Sequence, residues 1–175
     1  PDGQPIGPVI SWFDSRGQRY DTELTGRLGE NWFSSHTGHG ASAIVAGQLM
    51  RLKETDPAIM AWPNCLGFVG DTIVQRLCGR AAHHSSSLSI CDLYNPWRRK
   101  VEPELLQLFD LREEQLPDLL PAREPAGGLN RTVAAETQLP AGIPISVAVH
   151  DQYAAALGCG AIHPGEVMFG AGTAW

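Results

Sequence analysis

The amino-acid sequence predicts an α/β protein with a layered architecture. Short apolar runs of strand type alternate along the chain with longer segments of helical spacing, and no internal repeat stands out. The hydrophobic content of 43% and the charged content of 18% are those of an ordinary soluble globular protein. With 175 residues the chain is long enough for one substantial domain with its own core.

The first half of the chain begins with a predicted strand. The run "PVISWF" follows a turn at residues 2–3 and places Asp14 at its C-terminal end. A helix is predicted from there to Gly29, and the Gly-, Ser- and His-rich stretch "NWFSSHTGHG" is predicted to be a loop. Apolar residues at helical spacing predict a second helix over residues 41–54, and "DPAIMAWP" predicts a short helical turn between two prolines.

The second half continues the alternation of strands and helices. "CLGFV" predicts a buried strand, and "DTIVQRLCGR" predicts a helix that begins at Asp71 and stops at Gly79. Both "AAHHSSSLS" and the Pro- and Gly-rich "LPDLLPAREPAGGLN" are predicted to be loops, and "GEVMFGAGTAW" is predicted to be a β-hairpin. The remaining predicted elements are helices at residues 103–109 and 111–116, a strand at 145–149 and a helix from Gln152.

Charge and cysteine usage narrow the class of protein. The formal net charge is -6, so the chain lacks the excess of basic residues that is typical of nucleic-acid-binding proteins. No apolar run approaches the roughly 18–20 residues of a membrane helix. The four cysteines form no CxxC pair, which favours reduced thiols and a cytoplasmic location. Because the chain opens at Pro1 on a turn that leads into a strand, we expect an internal fragment of a longer protein.

Two carboxylates follow predicted strands, where an open α/β sheet gathers its ligands beside helix N-termini. Asp14 comes after "VISWF" and Asp151 comes after "ISVAVH". Asp151 is the stronger candidate, because the alanines and glycines of the following "QYAAALGCG" allow close approach of a ligand. Its carboxylate could accept a proton from a substrate hydroxyl. The alternative is that Asp151 only caps the helix, a common role of Asp.

Other motifs give weaker signals. In "GAGTAW", Gly170 and Gly172 leave the backbone unshielded and Thr173 adds a hydroxyl, so this turn could bind a phosphate or be an ordinary hairpin turn. No Gly-Lys-Ser/Thr follows, which excludes a Walker A loop. The two histidines of "HTGH" have no Cys or carboxylate nearby to complete a zinc site. The three serines at 85–87 are predicted to lie in a solvated loop.

Taken in order, these segments resemble the FGGY family of carbohydrate kinases, which includes glycerol, xylulose, ribulose and gluconate kinases. "DGQPIGPVISWFDSRG" resembles the opening segment of that pattern through Trp12, Asp14 and Arg16. "LGFVGDTIVQRLCGR" is similar to a later segment through Asp71 and Gly79. The C-terminal fifth is the most specific match, because "HDQYAAALGCG" and the later "GT" resemble the Asp-Gln and Gly-Thr segments of the family.

The resemblance implies a ribonuclease H-like fold of the actin-like ATPase superfamily, with an incomplete sugar-kinase N-terminal domain in this chain. Residues 1–165 would belong to that sugar-binding domain, and residues 166–175 would begin the C-terminal nucleotide-binding domain. The implied activity is phosphorylation of a sugar or polyol hydroxyl by ATP with Mg²⁺. We expect the chain alone to be inactive, because most of the nucleotide site would lie outside it.

The resemblance also implies roles for individual residues. Asp151 matches the catalytic Asp of the family, which takes the proton from the substrate hydroxyl as that hydroxyl attacks the γ-phosphoryl group of ATP. No residue is assigned as a metal ligand. The other matches are Trp12, Asp14 and Gln152 on the sugar side, and Gly172 and Thr173 on the phosphate side.

Departures from the family pattern predict a divergent member. Gln48 and Arg51 stand where the family usually has Lys and Trp, and Val149 stands where it often has Gly. Two other functional classes stay open at this point: a non-catalytic relative that keeps the fold as a sugar-binding or regulatory module, and an unrelated ATPase of the actin-like superfamily. No sequence patch marks an interface, so a homodimer is an open alternative for the assembly.

Overall fold

A computed structural model describes residues 3–171 of the chain. Single-turn 3-10 helices lie at Ser15–Gly17 and Glu113–Gln115. The α-helices of the described residues are α1 (Gln18–Leu28), α2 (Glu30–His36), α3 (Val45–Thr55), α4 (Pro57–Met60), α5 (Val69–Cys78), α6 (Ser85–Ser89), α7 (Pro103–Leu108), α8 (Arg131–Thr137) and α9 (Asp151–Gly158).

Short strands pair in three places between these helices. The strands are β1 (Ala82–His83), β2 (Tyr94–Asn95), β3 (Lys100–Val101), β4 (Asp118–Leu119), β5 (Pro125–Gly128) and β6 (Pro144–Ser146). β1 and β4 are parallel, whereas β2 with β3 and β5 with β6 are antiparallel. Just beyond β6, Ala148 forms a parallel bridge with His83 of β1. This mixture of helices with parallel and antiparallel pairs agrees with the predicted α/β class.

The larger hydrophobic cluster lies among the helices. It joins residues of α1, α2, α3, α6 and α7 with the chain around β2, so each of these helices buries one apolar face. Burial of this many large side chains is the main source of folding free energy in the described chain. Its most deeply buried large side chains are Phe33, Leu49, Leu88, Leu93, Leu105 and Phe109.

A smaller cluster lies beside the strands and is built from smaller side chains. Val74 of α5 meets Ala82 of β1, Ala126 of β5 and Val147, which follows β6. Val147 therefore ties the chain segment 144–148 to both the β5–β6 pair and the β1–β4 pair. That segment leads directly into α9, so the smaller cluster fixes where α9 begins.

Several sequence predictions are confirmed by the elements observed. The predicted helix up to Gly29 is α1, and the helical turn between two prolines is α4. The predicted helix at 41–54 is α3, which begins only at Val45, and that at 103–109 is α7. The helix predicted from Gln152 is α9, which begins one residue earlier. Amphipathic spacing and glycine stops identified these helices correctly because both signals are local.

The two strands predicted before residue 70 are wrong. Residues 8–13 and 65–68 form no ladder within the described chain, Val69 begins α5, and Val9 and Phe13 are each 74% exposed. A strand exists only where a neighbouring backbone completes a run of hydrogen bonds. Among the described residues, the N–H of Leu66 donates to the carbonyl of Gln115 at 2.8 Å, but this bond does not extend into a ladder. Asp14 therefore follows a turn at residues 12–13, which its own N–H closes by donating to the carbonyl of Ser11 at 3.0 Å.

Three predicted loops contain regular structure instead. "NWFSSHTGHG" contains all of α2 but its first residue, "AAHHSSSLS" contains β1 and α6, and the Pro- and Gly-rich stretch contains β4 and β5. Helix α8 was also missed. In the predicted C-terminal hairpin, residues 166–171 form no strand, and residues 172–175 lie outside the described residues. Among residues 3–171, no helix has both the length and the apolar character needed to cross a membrane.

Candidate functional site

Asp151 lies at the first position of α9, directly after the segment that packs on β1 and β5. Its side chain is 85% exposed, so the carboxylate faces solvent at the end of the sheet. No residue of α9 is buried among the described residues. This placement matches the prediction that Asp151 stands at a strand end beside a helix N-terminus, where a ligand can reach it.

The N-cap of α9 is His150 rather than Asp151. Nδ1 of His150 accepts a hydrogen bond from the backbone N–H of Gln152 at 3.4 Å. The carbonyl of His150 accepts from the N–H groups of Tyr153 and Ala154, each at 3.1 Å. The alternative role of Asp151 as the helix cap is therefore wrong, and its carboxylate is left for other contacts. One oxygen of that carboxylate lies 3.3 Å from Nδ1 of His150.

Gln152 connects the start of α9 with the glycine-rich C-terminal segment. A methyl group added at Gly170 would lie 3.4 Å from Oε1 of Gln152, so the Gln152 amide lies against the Gly170 backbone. Gly172 and Thr173, predicted to contact phosphate, lie outside the described residues. Gly170, which the start of α9 contacts, lies two residues before Gly172 in the sequence.

Asp14 forms a bidentate ion pair with Arg16. Nε of Arg16 donates to both carboxylate oxygens of Asp14, at 2.9 and 3.0 Å, and the backbone N–H of Arg16 donates to Oδ1 at 3.0 Å. These side-chain bonds, followed by the backbone bond, hold the pKa of Asp14 well below its usual range. The carboxylate thus caps the 3-10 helix Ser15–Gly17.

The rest of the predicted sugar-binding side is more exposed. The ring of Trp12 is 59% exposed and lies 3.8 Å from the ring of Phe13, centroid to centroid. Nε2 of Gln48 donates to the backbone carbonyl of Asp14 at 2.7 Å, which ties this segment to α3. Among the described residues, no hydrogen bond or ion pair joins Asp14 to Asp151. The two predicted sides of the site are therefore held by different parts of the fold.

The donor groups of the described residues do not form a metal site. Within residues 3–171, no group of three or more His, Cys, Asp or Glu side chains lies close enough together to hold a metal ion. Magnesium usually takes only one or two protein carboxylates and the phosphate oxygens of its nucleotide. The chemistry assigned to this chain below is accordingly that of its own side chains.

Ser86 was missed by sequence reasoning. Its hydroxyl oxygen accepts a hydrogen bond from the backbone N–H of His150 at 3.1 Å, directly before Asp151. "SSSLS" reads as a solvated loop because its residues are small and polar, yet it forms α6 and Ser86 is only 5% exposed. No local signal marks this contact, since the two residues lie 64 positions apart.

Comparisons with known proteins agree with this geometry. Residues 1–158 match the model of the N-terminal domain of the FGGY family of carbohydrate kinases. The chain is 29% identical over 172 residues to L-fuculokinase of Salmonella typhi, which covers 98% of this chain and 36% of that protein. It is 26% identical to apulose kinase of Pectobacterium atrosepticum, with the same coverage.

Solved structures show the same fold. Xylulose kinase from Rhodospirillum rubrum superposes with a TM-score of 0.83 at 24% identity, over 91% of this chain and 33% of that one. The predicted ribonuclease H-like sugar-kinase fold is thereby confirmed. The chain spans about a third of the length of the relatives it matches. The family match covers most of the chain, and the chain therefore belongs to the FGGY family of carbohydrate kinases, whose N-terminal domain it matches.

Proposed function

We propose that this chain contributes the sugar-binding domain and the catalytic base of an ATP-dependent carbohydrate kinase. The observation that carries the proposal is the position of Asp151, whose exposed carboxylate starts α9 while the adjacent Gln152 reaches the Gly170 backbone. A base and a glycine-rich, phosphate-type segment are thus neighbours in space. A sugar hydroxyl placed between them would have its proton acceptor on one side and the phosphoryl donor on the other.

The proposed step transfers one phosphoryl group. Asp151 accepts the hydroxyl proton, the hydroxyl oxygen bonds to the γ-phosphorus of ATP, and the bond from that phosphorus to the bridging oxygen breaks to release ADP. Proton transfer requires the carboxylate within about 2.6–3.2 Å of the hydroxyl oxygen. Phosphoryl transfer depends mainly on positioning and charge neutralisation, so the role of this domain is to hold the sugar and the base in line.

The proposed substrate is a sugar or polyol. The relatives named above are called L-fuculokinase, apulose kinase and xylulose kinase, so the family members that this chain resembles act on different sugars. Trp12 offers an exposed ring and Asp14 a carboxylate held by Arg16, which support their assignment to sugar binding. Gln152 is assigned to the same side, and Gly172 and Thr173 to the phosphates of ATP.

The remaining features of the proposal concern the whole protein. Mg²⁺ would enter with ATP, through the phosphate oxygens. Residues 1–165 are assigned to the sugar-binding domain and residues 166–175 to the start of the nucleotide-binding domain. The family match ends at residue 158, close to that boundary. A cytoplasmic location and a homodimer stay predictions.

The proposal is tested by sugar-dependent release of ADP. The complete protein that carries this chain is incubated with ATP, Mg²⁺ and a panel of ketoses, aldoses and polyols, and ADP is measured against a control without sugar. We expect at least one sugar to raise ADP release well above the control. The 175-residue chain alone, used as a matched control, should release no ADP with any sugar.

Two outcomes would contradict the proposal. Sugar binding without ADP release would favour the non-catalytic relative that uses the fold as a binding or regulatory module. ATP hydrolysis at one rate with and without every sugar would favour an ATPase of the actin-like superfamily. A direct binding measurement beside the ADP assay separates these two outcomes, because only the first predicts sugar affinity.

A further inference from the structure

The turn that carries Asp151 is held by the short helix α6. The backbone N–H of His150 donates to Oγ of Ser86 at 3.1 Å, and the backbone N–H of His84 donates to the carbonyl of Ala148 at 3.3 Å. His83 adds the parallel bridge to Ala148. Residues 83–86 therefore contact the backbone at two positions before Asp151, Ala148 and His150. Ser86 supplies the last of these contacts and the one nearest the carboxylate.

The hydroxyl of Ser86 is oriented for this contact by His84. Nδ1 of His84 accepts from the backbone N–H of Ser86 at 3.2 Å, which assigns that ring nitrogen as unprotonated. The Ser86 hydroxyl, 3.0 Å away, can then donate its hydrogen to the same nitrogen. Its lone pairs are left to face the His150 N–H. Burial first, and then the neighbouring His83, lower the pKa of His84, which favours this neutral ring.

The packing around this contact leaves little freedom. Ser86 is 5% exposed and Ala148 approaches Gly70 of α5 so closely that a methyl group there would lie 2.4 Å from the Ala148 Cβ. The segment before Asp151 is thus confined by α5 on one side and by α6 on another. Asp151 itself is exposed and has no buried contact of its own. Its position is consequently set by its backbone, and within residues 3–171 the bond to the Ser86 hydroxyl is the last tertiary hydrogen bond that this backbone makes before Asp151.

We propose that Ser86 is a positioning residue for the reaction, because its buried hydroxyl fixes the His150 backbone and with it the carboxylate of Asp151. This inference rests on the proposed function of Asp151 as the base. Ser86 acts through the backbone and touches no substrate. Its removal should misplace the base while leaving Trp12 and Asp14, which lie in another part of the fold, where they are. Gln152 follows Asp151 in α9 and would shift with it, so we expect only a small change in sugar affinity.

The test compares Ser86→Ala with Ser87→Ala in the complete protein. Ser87 lies in the same helix and is similarly buried at 8% exposure, yet within residues 3–171 it makes no hydrogen bond to residues 148–151. We expect Ser86→Ala to lower kcat by about 10- to 100-fold, since misplacement of a reacting group by about 1 Å has effects of this size. The KM for the sugar should change by less than about 3-fold. Ser87→Ala should change neither.

A second measurement does not depend on activity. Hydrogen exchange of the peptide amides at 148–152 should be faster in Ser86→Ala than in the parent protein, and unchanged in Ser87→Ala. If the alanine variant does not fold, Ser86→Cys keeps the side chain's shape with a slightly larger atom and a weaker acceptor, and should change kcat and exchange in the same direction.

The outcomes separate this inference from the proposed function. Parent-level kcat and exchange in Ser86→Ala would overturn the inference alone, as would equal losses in both serine variants. A parallel fall in kcat and sugar affinity would also overturn it, because the sugar site would then be disturbed as well. Absence of sugar-dependent ADP release in the parent protein would contradict the proposed function, while the exchange measurement would still decide whether Ser86 holds the turn.

Discussion

The helical region of this chain contains most of the buried core, whereas the proposed base follows the strand region. In the larger cluster, Phe33 and Phe109 are fully buried, and helices α1, α2, α3, α6 and α7 all contribute to it. In the strand region the cluster is small, and α9 beyond it buries no residue, with Leu157 68% exposed. The proposed base therefore stands on the sparsely packed side. Ligand-binding segments commonly lie in regions with few buried contacts, where local stability is low.

The largest difference between the regions should appear in core truncations. Phe33→Ala in the larger cluster should lower the free energy of unfolding by about 3–5 kcal/mol, because it removes a buried ring and leaves a cavity. Val147→Ala in the smaller cluster should lower it by only about 1–2 kcal/mol, from two methyl groups. Denaturant unfolding of the two variants measures both values. Equal losses would break the comparison and show that the strand region is packed as tightly as the helices.

Close backbone approach offers a second, smaller test. Gly70→Ala places a methyl group 2.4 Å from the Cβ of Ala148, neither of which can move away without shifting backbone. We expect a loss of about 1–3 kcal/mol, as for other overpacked sites, together with a lower kcat because Ala148 leads to Asp151. Gly26→Ala in α1 is the matched control, since a methyl group there meets open space. It should stabilise the protein by about 0.5–1 kcal/mol, as Ala replaces Gly in a helix.

Unfolding measurements would decide this prediction, with kcat measured on the same samples. A Gly70→Ala variant as stable and as active as Gly26→Ala would show that the backbone of the strand region shifts to accommodate the added methyl group without loss of stability. In that case the contact between α5 and Ala148 would not position the site.

The smallest expected effects concern two histidines with opposite pKa shifts. A hydrogen bond to the buried carboxylate of Asp92 raises the pKa of His39 from 6.5, whereas burial lowers that of His84 from 6.5. The His39 contribution to stability is therefore present below pH 6.5 and is lost as pH rises through its folded-state pKa. The His84 contribution is present above pH 6.5 and is lost as pH falls toward its folded-state pKa.

Stability curves against pH would separate the two residues. Relative to His39→Gln, the parent protein should lose stability on the alkaline side of pH 6.5, and relative to His84→Asn it should lose stability on the acid side. Slopes of the opposite sign, or slopes that persist in both variants, would contradict the assignments.

Local patterns predicted much of the helical region and little of the strand region. Amphipathic spacing and glycine stops identified α1, α3 and α5, because a helix satisfies its own backbone. Strands of two residues such as β1 carry too few positions for a period to appear, and they exist only through distant partners such as β4. The same dependence explains why "VISWF", which has a strand-like composition, pairs with nothing among the described residues.

The residues of the candidate site were also predicted unevenly: Asp151 was identified from the sequence and Ser86 was not. Asp151 could be found because its neighbours in "HDQYAAALGCG" carry the resemblance, although its position alone favoured a helix cap over a base. The structure assigns the cap to His150 and shows the contact of Gln152 with Gly170. Ser86 could not be found, because its role depends on a hydrogen bond between residues 64 positions apart.

The most direct test of the central claim is the Asp151→Asn variant of the complete protein. We predict that its sugar-dependent ADP release falls by about 10²- to 10⁴-fold, the usual contribution of a general base. Sugar affinity and the denaturation midpoint should stay at the parent values, because the side chain is 85% exposed and packs on nothing buried. A variant that turns over sugar at the parent rate would contradict the account, as would one whose activity falls only because it unfolds.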